Sequence, residues 1–201
     1  MTVYFSRRHL IGTASAAAGL AMLPVAASAL NPTTARTMVD KLVAEINRVI
    51  DSGKSESGMY RDFERIFETY SDTSYIAAYA LGVDGRRASS AQKRAFTDAF
   101  TGYISRKYGK RFREFIGGRL EVEDVRQVKN FLEVRTTAFL RGESPFEVAF
   151  HVSDRTGREL FFNIYIEGVN MLLTERTEIG SMLDARRGDL DQVIADLKRA
   201  G

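Results

Sequence analysis

The sequence contains no cysteine and no tryptophan, and only two histidines among its 201 residues. Without cysteine, the chain has no disulfide framework, no thiol nucleophile and no zinc site built on thiolates. His9 lies near the N-terminus, so His151 is the only histidine in the rest of the sequence. A single histidine is too little for a histidine-rich metal centre. We therefore expect neither a metal nor a cofactor.

Beyond the first thirty positions the sequence also has no repeat and no low-complexity segment. Hydrophobic residues make up 44% of the chain and charged residues 27%. These fractions are typical of a folded globular protein and exclude both a disordered chain and a polytopic membrane protein.

Residues 1–29 have the layout of an export signal. Arg7 and Arg8 precede an apolar run rich in alanine and glycine, and Ala27-Ser28-Ala29 is a small-residue cleavage site. The arginine pair with its flanking residues resembles the twin-arginine signal, with a general secretory signal as the alternative. We expect cleavage near Ala29, export from the cytoplasm, and one domain over residues 30–201 in the mature protein.

The mature chain is almost neutral. Removing the two arginines of the signal from the 29 basic residues leaves 27, against 26 acidic residues, a net charge of +1. Nucleic-acid-binding domains carry a strong basic excess, because their affinity comes largely from phosphate contacts. We therefore exclude a nucleic-acid partner.

Hydrophobic periodicity divides the domain into helices followed by strands and further helices. Thr33 or Thr34 can cap the first helix, and Ser89 with Gln92 forms a capping box before the best-defined helix. From Arg119 the period becomes two, with a hairpin turn at Asp154 to Gly157. Helical spacings return after Glu175. We predict an α+β fold, a curved antiparallel sheet with helices laid on it, similar to the NTF2-like cone.

The segment from Leu160 to Leu173, taken as one long strand, has apolar residues in both alternating registers. An antiparallel sheet with one wet face shows hydrophobic residues in one register only. Two interpretations follow: helices cover both faces of the sheet, or a gap between the helices and the curved sheet holds an apolar ligand.

Residues with catalytic chemistry are few. Ser90 and Lys93 match a serine-nucleophile pattern that their place at a helix cap already explains. His151 lies mid-strand without a recognisable nucleophile partner, and Glu167 is a carboxylate in an apolar strand. We predict that the protein is not an enzyme.

Several motifs together resemble the MlaC family, also called toluene-tolerance auxiliary proteins. The shared features lie along nearly the whole mature chain: Gln92, Phe96, Phe100, Tyr103 and Tyr108 in one helix, Tyr75 to Gly82, Ile166 to Met171, and Ile179 to Leu197. Asn170 replaces the usual serine of the family's E-G-V-S strand. A hopanoid-associated, HpnM-like branch shares the pattern.

This resemblance implies a periplasmic carrier that moves a glycerophospholipid between the outer and inner membranes and so maintains outer-membrane lipid asymmetry. Its implied partners are an outer-membrane lipoprotein complex and an inner-membrane ABC transporter with an MCE-domain protein, which it would meet by transient membrane docking. The alternative ligand is another apolar molecule such as a hopanoid.

Alternation and helix faces select the residues expected to contact the lipid. They are Tyr75, Phe100 and Tyr103 from the helices, and Val134, Val148, Phe150, Ile164 and Ile166 from the sheet. A run with five basic residues in eight, Arg106 to Arg113, is either a solvated face or a docking surface for anionic headgroups or an acidic partner. For docking we select Lys107, Lys110 and Arg111.

Overall fold

The computed structural model describes residues 30–112 and 118–200, with only the backbone of Arg111 and Phe112. The predicted export signal, residues 1–29, lies outside the described residues. None of the helices in the described part of the chain has the length and apolar character needed to cross a membrane.

Six α-helices and one short 3₁₀ turn make up the helical part of the described chain. The helices are α1 (Pro32–Ile50), α2 (Glu56–Tyr70), α3 (Thr73–Leu81), α4 (Ser90–Phe112), α5 (Met171–Ala185) and α6 (Leu190–Leu197). The predicted capping box is confirmed, because the Ser89 amide donates to Gln92 Oε1 at 3.0 Å and the Gln92 amide donates to Ser89 Oγ at 3.1 Å. The predicted cap of α1 at Thr33 or Thr34 is wrong. Asn31 caps this helix, with Pro32 in its first turn.

Five strands form a single antiparallel sheet in the order of the sequence. They are β1 (Arg119–Val128), β2 (Phe131–Phe139), β3 (Phe146–Ser153), β4 (Leu160–Ile166) and the two-residue β5 (Val169–Asn170). The hairpin turn between β3 and β4 is the predicted one, with the Gly157 amide bonded to the Asp154 carbonyl at 2.8 Å. The α+β fold expected from the sequence is confirmed.

The predicted long strand from Leu160 to Leu173 is wrong. Strand β4 ends at Ile166, and Glu167 and Gly168 both have positive φ, 49° and 79°, so the chain turns sharply there. After the short β5, the Asn170 side chain accepts the Leu173 amide at 3.0 Å and caps α5. A β-bulge against His151 and Val152 also shifts the register of β4. The doubled apolar register therefore comes from a bulge, a turn and a helix start.

One face of the sheet carries the core. Leu132, Val134, Thr136 and Ala138 of β2 are completely buried on that face, and Val134 pairs with Phe150 of β3. Helix α1 packs directly on β1 and β2. Helices α3 and α5 contact β4, and a cavity lies between the helices and strands β3 and β4.

Helix α4 passes without interruption through Gly109, close to α2. A Cβ atom at Gly109 would lie 2.5 Å from Cδ1 of Tyr60 and 3.0 Å from its Cε1. Glycine therefore lets the two helices approach at this point, and Gly109 also belongs to the cavity wall.

Candidate functional site

The cavity between the helices and the third and fourth strands has a volume of about 320 Å³. This volume falls at the lower end of the range for small-molecule pockets, about 300–1,000 Å³. Its wall is predominantly apolar. The apolar lining residues are Leu42, Ile46, Phe63, Ile66, Phe67, Ile76, Phe100, Ile104, Leu120, Leu140, Phe146, Val148, Phe150, Phe161, Phe162, Ile164, Ile166, Met171 and Leu172.

The cavity opens to solvent at one rim. Glu143, in the turn between β2 and β3, and Glu167, after β4, both line the cavity and are exposed. Leu140 and Phe146 of the same turn region are half-buried. An apolar chain could therefore enter at this rim and lie along the wall behind it.

Five of the residues selected from the sequence meet in the cavity wall. Phe100 extends from α4, Val148 and Phe150 from β3, and Ile164 and Ile166 from β4. The sheet residues pair across the two strands, Val148 with Ile166 and Phe150 with Ile164. Their predicted contact with a lipid stays a prediction.

The other three selected residues do not line the cavity. Val134 is fully buried in the half of the sheet that α1 covers, so helix packing fills the space in front of it. The Tyr103 hydroxyl donates to Glu178 on α5. Tyr75 contacts Phe162 edge-on at 5.6 Å, and the Arg155 guanidinium stacks over its ring at 3.8 Å. These rings pack between elements of the protein.

Sequence reasoning missed wall residues on four helices, among them Ile76 of α3. Leu42 and Ile46 of α1, Phe63 and Ile66 of α2, and Leu172 of α5 also belong to the wall. Each of the first four falls on an apolar stripe visible in the sequence, but a stripe does not distinguish a cavity wall from a packed core. Leu172 was assigned to a strand.

One charged cluster interrupts the apolar wall. Glu175 of α5 lines the cavity with only 3% of its surface exposed. The Lys107 ammonium donates to its Oε1 at 2.9 Å, and the Tyr108 hydroxyl donates to the same oxygen. Lys107 also pairs with Glu178, which is 41% exposed at its side chain. The cluster thus extends from the cavity wall to the surface.

Lys107 and Glu178 keep their charges, and the two tyrosines of the cluster keep their hydroxyl protons. Burial and the neighbouring carboxylates raise the pKa of Tyr103 and Tyr108 above the ordinary range. Burial alone would lower the pKa of Lys107, but Glu178 and Glu175 raise it. Burial raises the pKa of Glu178, and the Lys107 ammonium outweighs this and lowers it. Both tyrosines therefore remain donors, and Lys107 remains a cation.

Two uncharged polar side chains of the wall already have hydrogen-bond partners. Ser105 Oγ donates to the Thr101 carbonyl at 2.9 Å. Asn163 Oδ1 accepts the Leu172 amide at 3.1 Å, and its Nδ2 donates to Asn170 at 3.0 Å. Within the described ranges no group of side chains is arranged to hold a metal ion. Apart from Glu175, the wall offers a ligand mainly apolar contact.

The three residues selected for docking differ in their surroundings. Lys107 is held inside the cluster just described, with 28% of its side chain exposed. Lys110, at the next turn of α4, is exposed. The side chain of Arg111 lies outside the described residues.

His151 lies on the opposite face of the sheet from the cavity residues of β3. Its Nε2 is 3.2 Å from Glu133 Oε2, and its ring stacks on Phe131 with centroids 4.4 Å apart. Burial lowers the pKa of His151 and outweighs the opposite effect of Glu133. Among the described residues the hydrogen-bond partner of its ring is the Glu133 carboxylate and not a hydroxyl group.

The chain folds as an α+β protein with a predominantly apolar cavity between its helices and one half of the sheet. These two features define its structural class. Its sequence matches the model of the MlaC protein family over residues 36–199. The chain belongs to the MlaC family. Its structure is also similar to the phospholipid-binding protein from Ralstonia solanacearum, which was solved in complex with a phospholipid. The TM-score is 0.66 at 19% sequence identity, over 84% of this chain and 99% of that chain.

Proposed function

We propose that this protein is a periplasmic lipid carrier that binds a glycerophospholipid in the cavity and catalyses no reaction. The observation that carries the proposal is a cavity of about 320 Å³ with a predominantly apolar wall, open at one rim. A hydrocarbon chain gains about 0.8 kcal/mol for each CH₂ that leaves water. The similar Ralstonia solanacearum protein binds a phospholipid, which supports the same class of ligand here.

The carrier would exchange its lipid between an outer-membrane lipoprotein complex and an inner-membrane ABC transporter with an MCE-domain protein. Membership of the MlaC family supports the proposal of these partners, of a periplasmic location and of a role in outer-membrane lipid asymmetry. Within this proposal Phe100, Val148, Phe150, Ile164 and Ile166 contact the acyl chains. Tyr75, Tyr103 and Val134 support the elements that carry these contacts.

Docking to a membrane or to an acidic partner would use the basic end of α4, with Lys110 and Arg111 as the contact residues and Lys107 held behind them by its carboxylate partners. This assignment rests on the basic run in the sequence and on the exposure of Lys110. A hopanoid remains the alternative ligand, because a rigid apolar ring system also suits an apolar wall.

The decisive experiment is to identify what the protein carries when purified from cells. We expect native mass spectrometry to show adducts of phospholipid mass, and solvent extraction to release the same lipids. Phe150→Asp should remove the adduct, with circular dichroism as the check that the variant folds. A folded protein purified without any lipid would refute the proposal, and a hopanoid in the extract would establish the alternative.

A further inference from the structure

The cavity has a closed end opposite its rim. On β3 its wall runs from Phe146 at the rim to Phe150. Val152 is the next residue on the same face of the strand, but it is fully buried and does not belong to the wall. Along β4 and the turn after it, the wall runs from Glu167 at the rim to Phe161, which pairs with Val152. The closed end therefore lies at the level of Phe150 and Phe161.

Two aromatic side chains pack on Phe161 at the closed end and form the floor of the cavity with it. The ring of Phe150 meets Phe161 edge-on with centroids 5.7 Å apart, and Phe67 of α2 tilts against Phe161 at 5.9 Å. The backbone of Phe161 is held as well, because its carbonyl accepts the Asp72 amide at 2.8 Å. Phe161 is 3% exposed and cannot move aside without breaking these contacts. The floor of Phe67, Phe150 and Phe161 is therefore fixed.

The depth of the cavity is close to the length of a membrane acyl chain. Phe150 lies four residues beyond Phe146 on β3, which is about 13 Å at a rise of about 3.3 Å per residue. The wall on α4 extends over the nine residues from Phe100 to Gly109, which is about 14 Å at about 1.5 Å per residue. The hydrocarbon layer of one bilayer leaflet is about 15 Å thick, half of a core of about 30 Å. A membrane acyl chain that enters at the rim therefore reaches the floor with little depth to spare.

We propose that the floor of Phe67, Phe150 and Phe161 sets the longest acyl chain that the protein carries, a limit that rests on the proposed function and adds a chain length to it. The bilayer and the cavity offer the same apolar environment to every methylene group that fits. Chains up to the limit are therefore taken from a membrane without preference. A methylene group beyond the limit is left outside the rim in water, so longer chains are bound less.

The test measures which chain lengths the delipidated protein takes up from vesicles. The vesicles contain equal amounts of phosphatidylglycerols whose two acyl chains lengthen in steps of two methylene groups. Each chain carries one cis double bond, which keeps the bilayer fluid. Protein and vesicles are then separated, and the bound lipids are extracted and quantified by mass spectrometry relative to the vesicle composition.

We expect even uptake of the shorter chains and then a fall of about fourfold for each methylene group beyond the limit, which corresponds to about 0.8 kcal/mol for a methylene group left in water. In Phe161→Val the fall should begin at chains about two methylene groups longer, because four side-chain carbons are removed and the site closes only partly. Phe67→Leu should shift the fall in the same direction.

Phe63→Leu is the matched control for Phe67→Leu. Phe63 lines the cavity one helical turn before Phe67, so the same substitution there widens the side wall and leaves the floor in place. We expect this control to keep the chain-length limit of the wild type.

The outcomes separate the chain-length limit from the proposed function. If the wild type takes up every chain length evenly, the floor sets no limit, and the inference is refuted while lipid carriage stands. If neither floor variant moves the limit, or if Phe63→Leu moves it as far, the limit lies elsewhere and the inference is also refuted. If no lipid of any length is taken up, the proposed function itself fails. Phe67→Leu carries the decision where Phe161→Val does not fold, because Phe67 is only half-buried and leucine is a good helix former.

Discussion

Replacing Val148 by phenylalanine fills part of the cavity without adding a polar group. Val148 is 6% exposed, lies in the middle of the sheet and lines the cavity beside Ile166. Phenylalanine suits a strand as well as valine does. The four added carbon atoms would occupy space that a ligand otherwise takes, so we expect Val148→Phe to reduce the bound lipid.

The same substitution should not destabilise the ligand-free protein. At about 0.8 kcal/mol for each buried carbon, the added ring atoms contribute at most about 3 kcal/mol of stability, less whatever strain the new side chain meets. Val134→Phe is the matched control, because Val134 lies on the same face of the neighbouring strand, is 0% exposed and does not line the cavity. Enlarging a side chain in a packed core costs about 1–3 kcal/mol.

The two variants should therefore change stability in opposite directions. Unfolding of the delipidated protein in urea is followed by circular dichroism. The free energies of unfolding are compared between variants whose free energy has the same dependence on urea concentration. We expect Val148→Phe to be as stable as the wild type or more so, and Val134→Phe to be less stable while its folded fraction still binds lipid. If Val148→Phe destabilises the protein as much as Val134→Phe does and leaves lipid binding unchanged, no cavity exists at that position.

Two further predictions concern the helix contact and the outer face of the sheet. Gly109→Ala should destabilise the protein by about 1–3 kcal/mol in urea unfolding, because its Cβ would lie 2.5 Å from the Tyr60 ring. The double variant with Tyr60→Ala should recover part of that loss of stability. If it recovers none, Tyr60 is not the obstacle. Burial holds the pKa of His151 below its ordinary value of 6.5. As the pH falls below about 6.5, His151 therefore binds a proton in the unfolded chain before it does so in the folded protein. The free energy of unfolding decreases in that pH range. We expect the melting temperature of the wild type to fall more steeply between pH 7 and 5 than that of His151→Gln, which keeps a hydrogen-bonding side chain beside Glu133; equal slopes would contradict this account.

Local signals in the sequence predict some element boundaries correctly. The capping box at Ser89 and Gln92 works through side chains three residues apart, and the turn at Asp154 to Gly157 needs only a glycine with positive φ. Such features depend on neighbours in the chain, so the sequence is sufficient to find them.

The end of β4 depends on less visible signals. Glu167 adopts a positive φ that glutamate rarely takes, and Asn170, which looks like one more strand residue, caps a helix. The sequence-based argument for a cavity therefore combined a correct expectation with a wrong strand. Five of the eight selected residues still reach the cavity wall. Alternation along the correctly predicted part of β3 and β4 fixed the face of four of them, and the apolar stripe of α4 placed Phe100.

The position of the cavity within the sheet depends on tertiary packing. Val134 and Phe150 are direct neighbours on the same face, and alternation treats them alike. Only the placement of α1 over β1 and β2 buries Val134 in a packed core and leaves Phe150 at the cavity. No periodicity in a single sequence encodes which helix stands closer to which strand.

The free-energy cost of an empty cavity favours a bound ligand over a permanently empty state. A dry, rigid cavity of 320 Å³ would cost about 8 kcal/mol at the rate of 24 cal/mol per Å³ measured for engineered cavities, an upper limit because the rim admits water. That cost is comparable to the entire stability of a typical domain, about 5–15 kcal/mol. A lipid removes that cost, and its departure restores it unless water or a second ligand enters the cavity. Because the bilayer offers the acyl chains an equally apolar environment, this cavity cost is the main free energy that opposes departure. A protein with this interior therefore binds a lipid readily and returns it to a membrane or a partner when the vacated cavity admits water or another lipid.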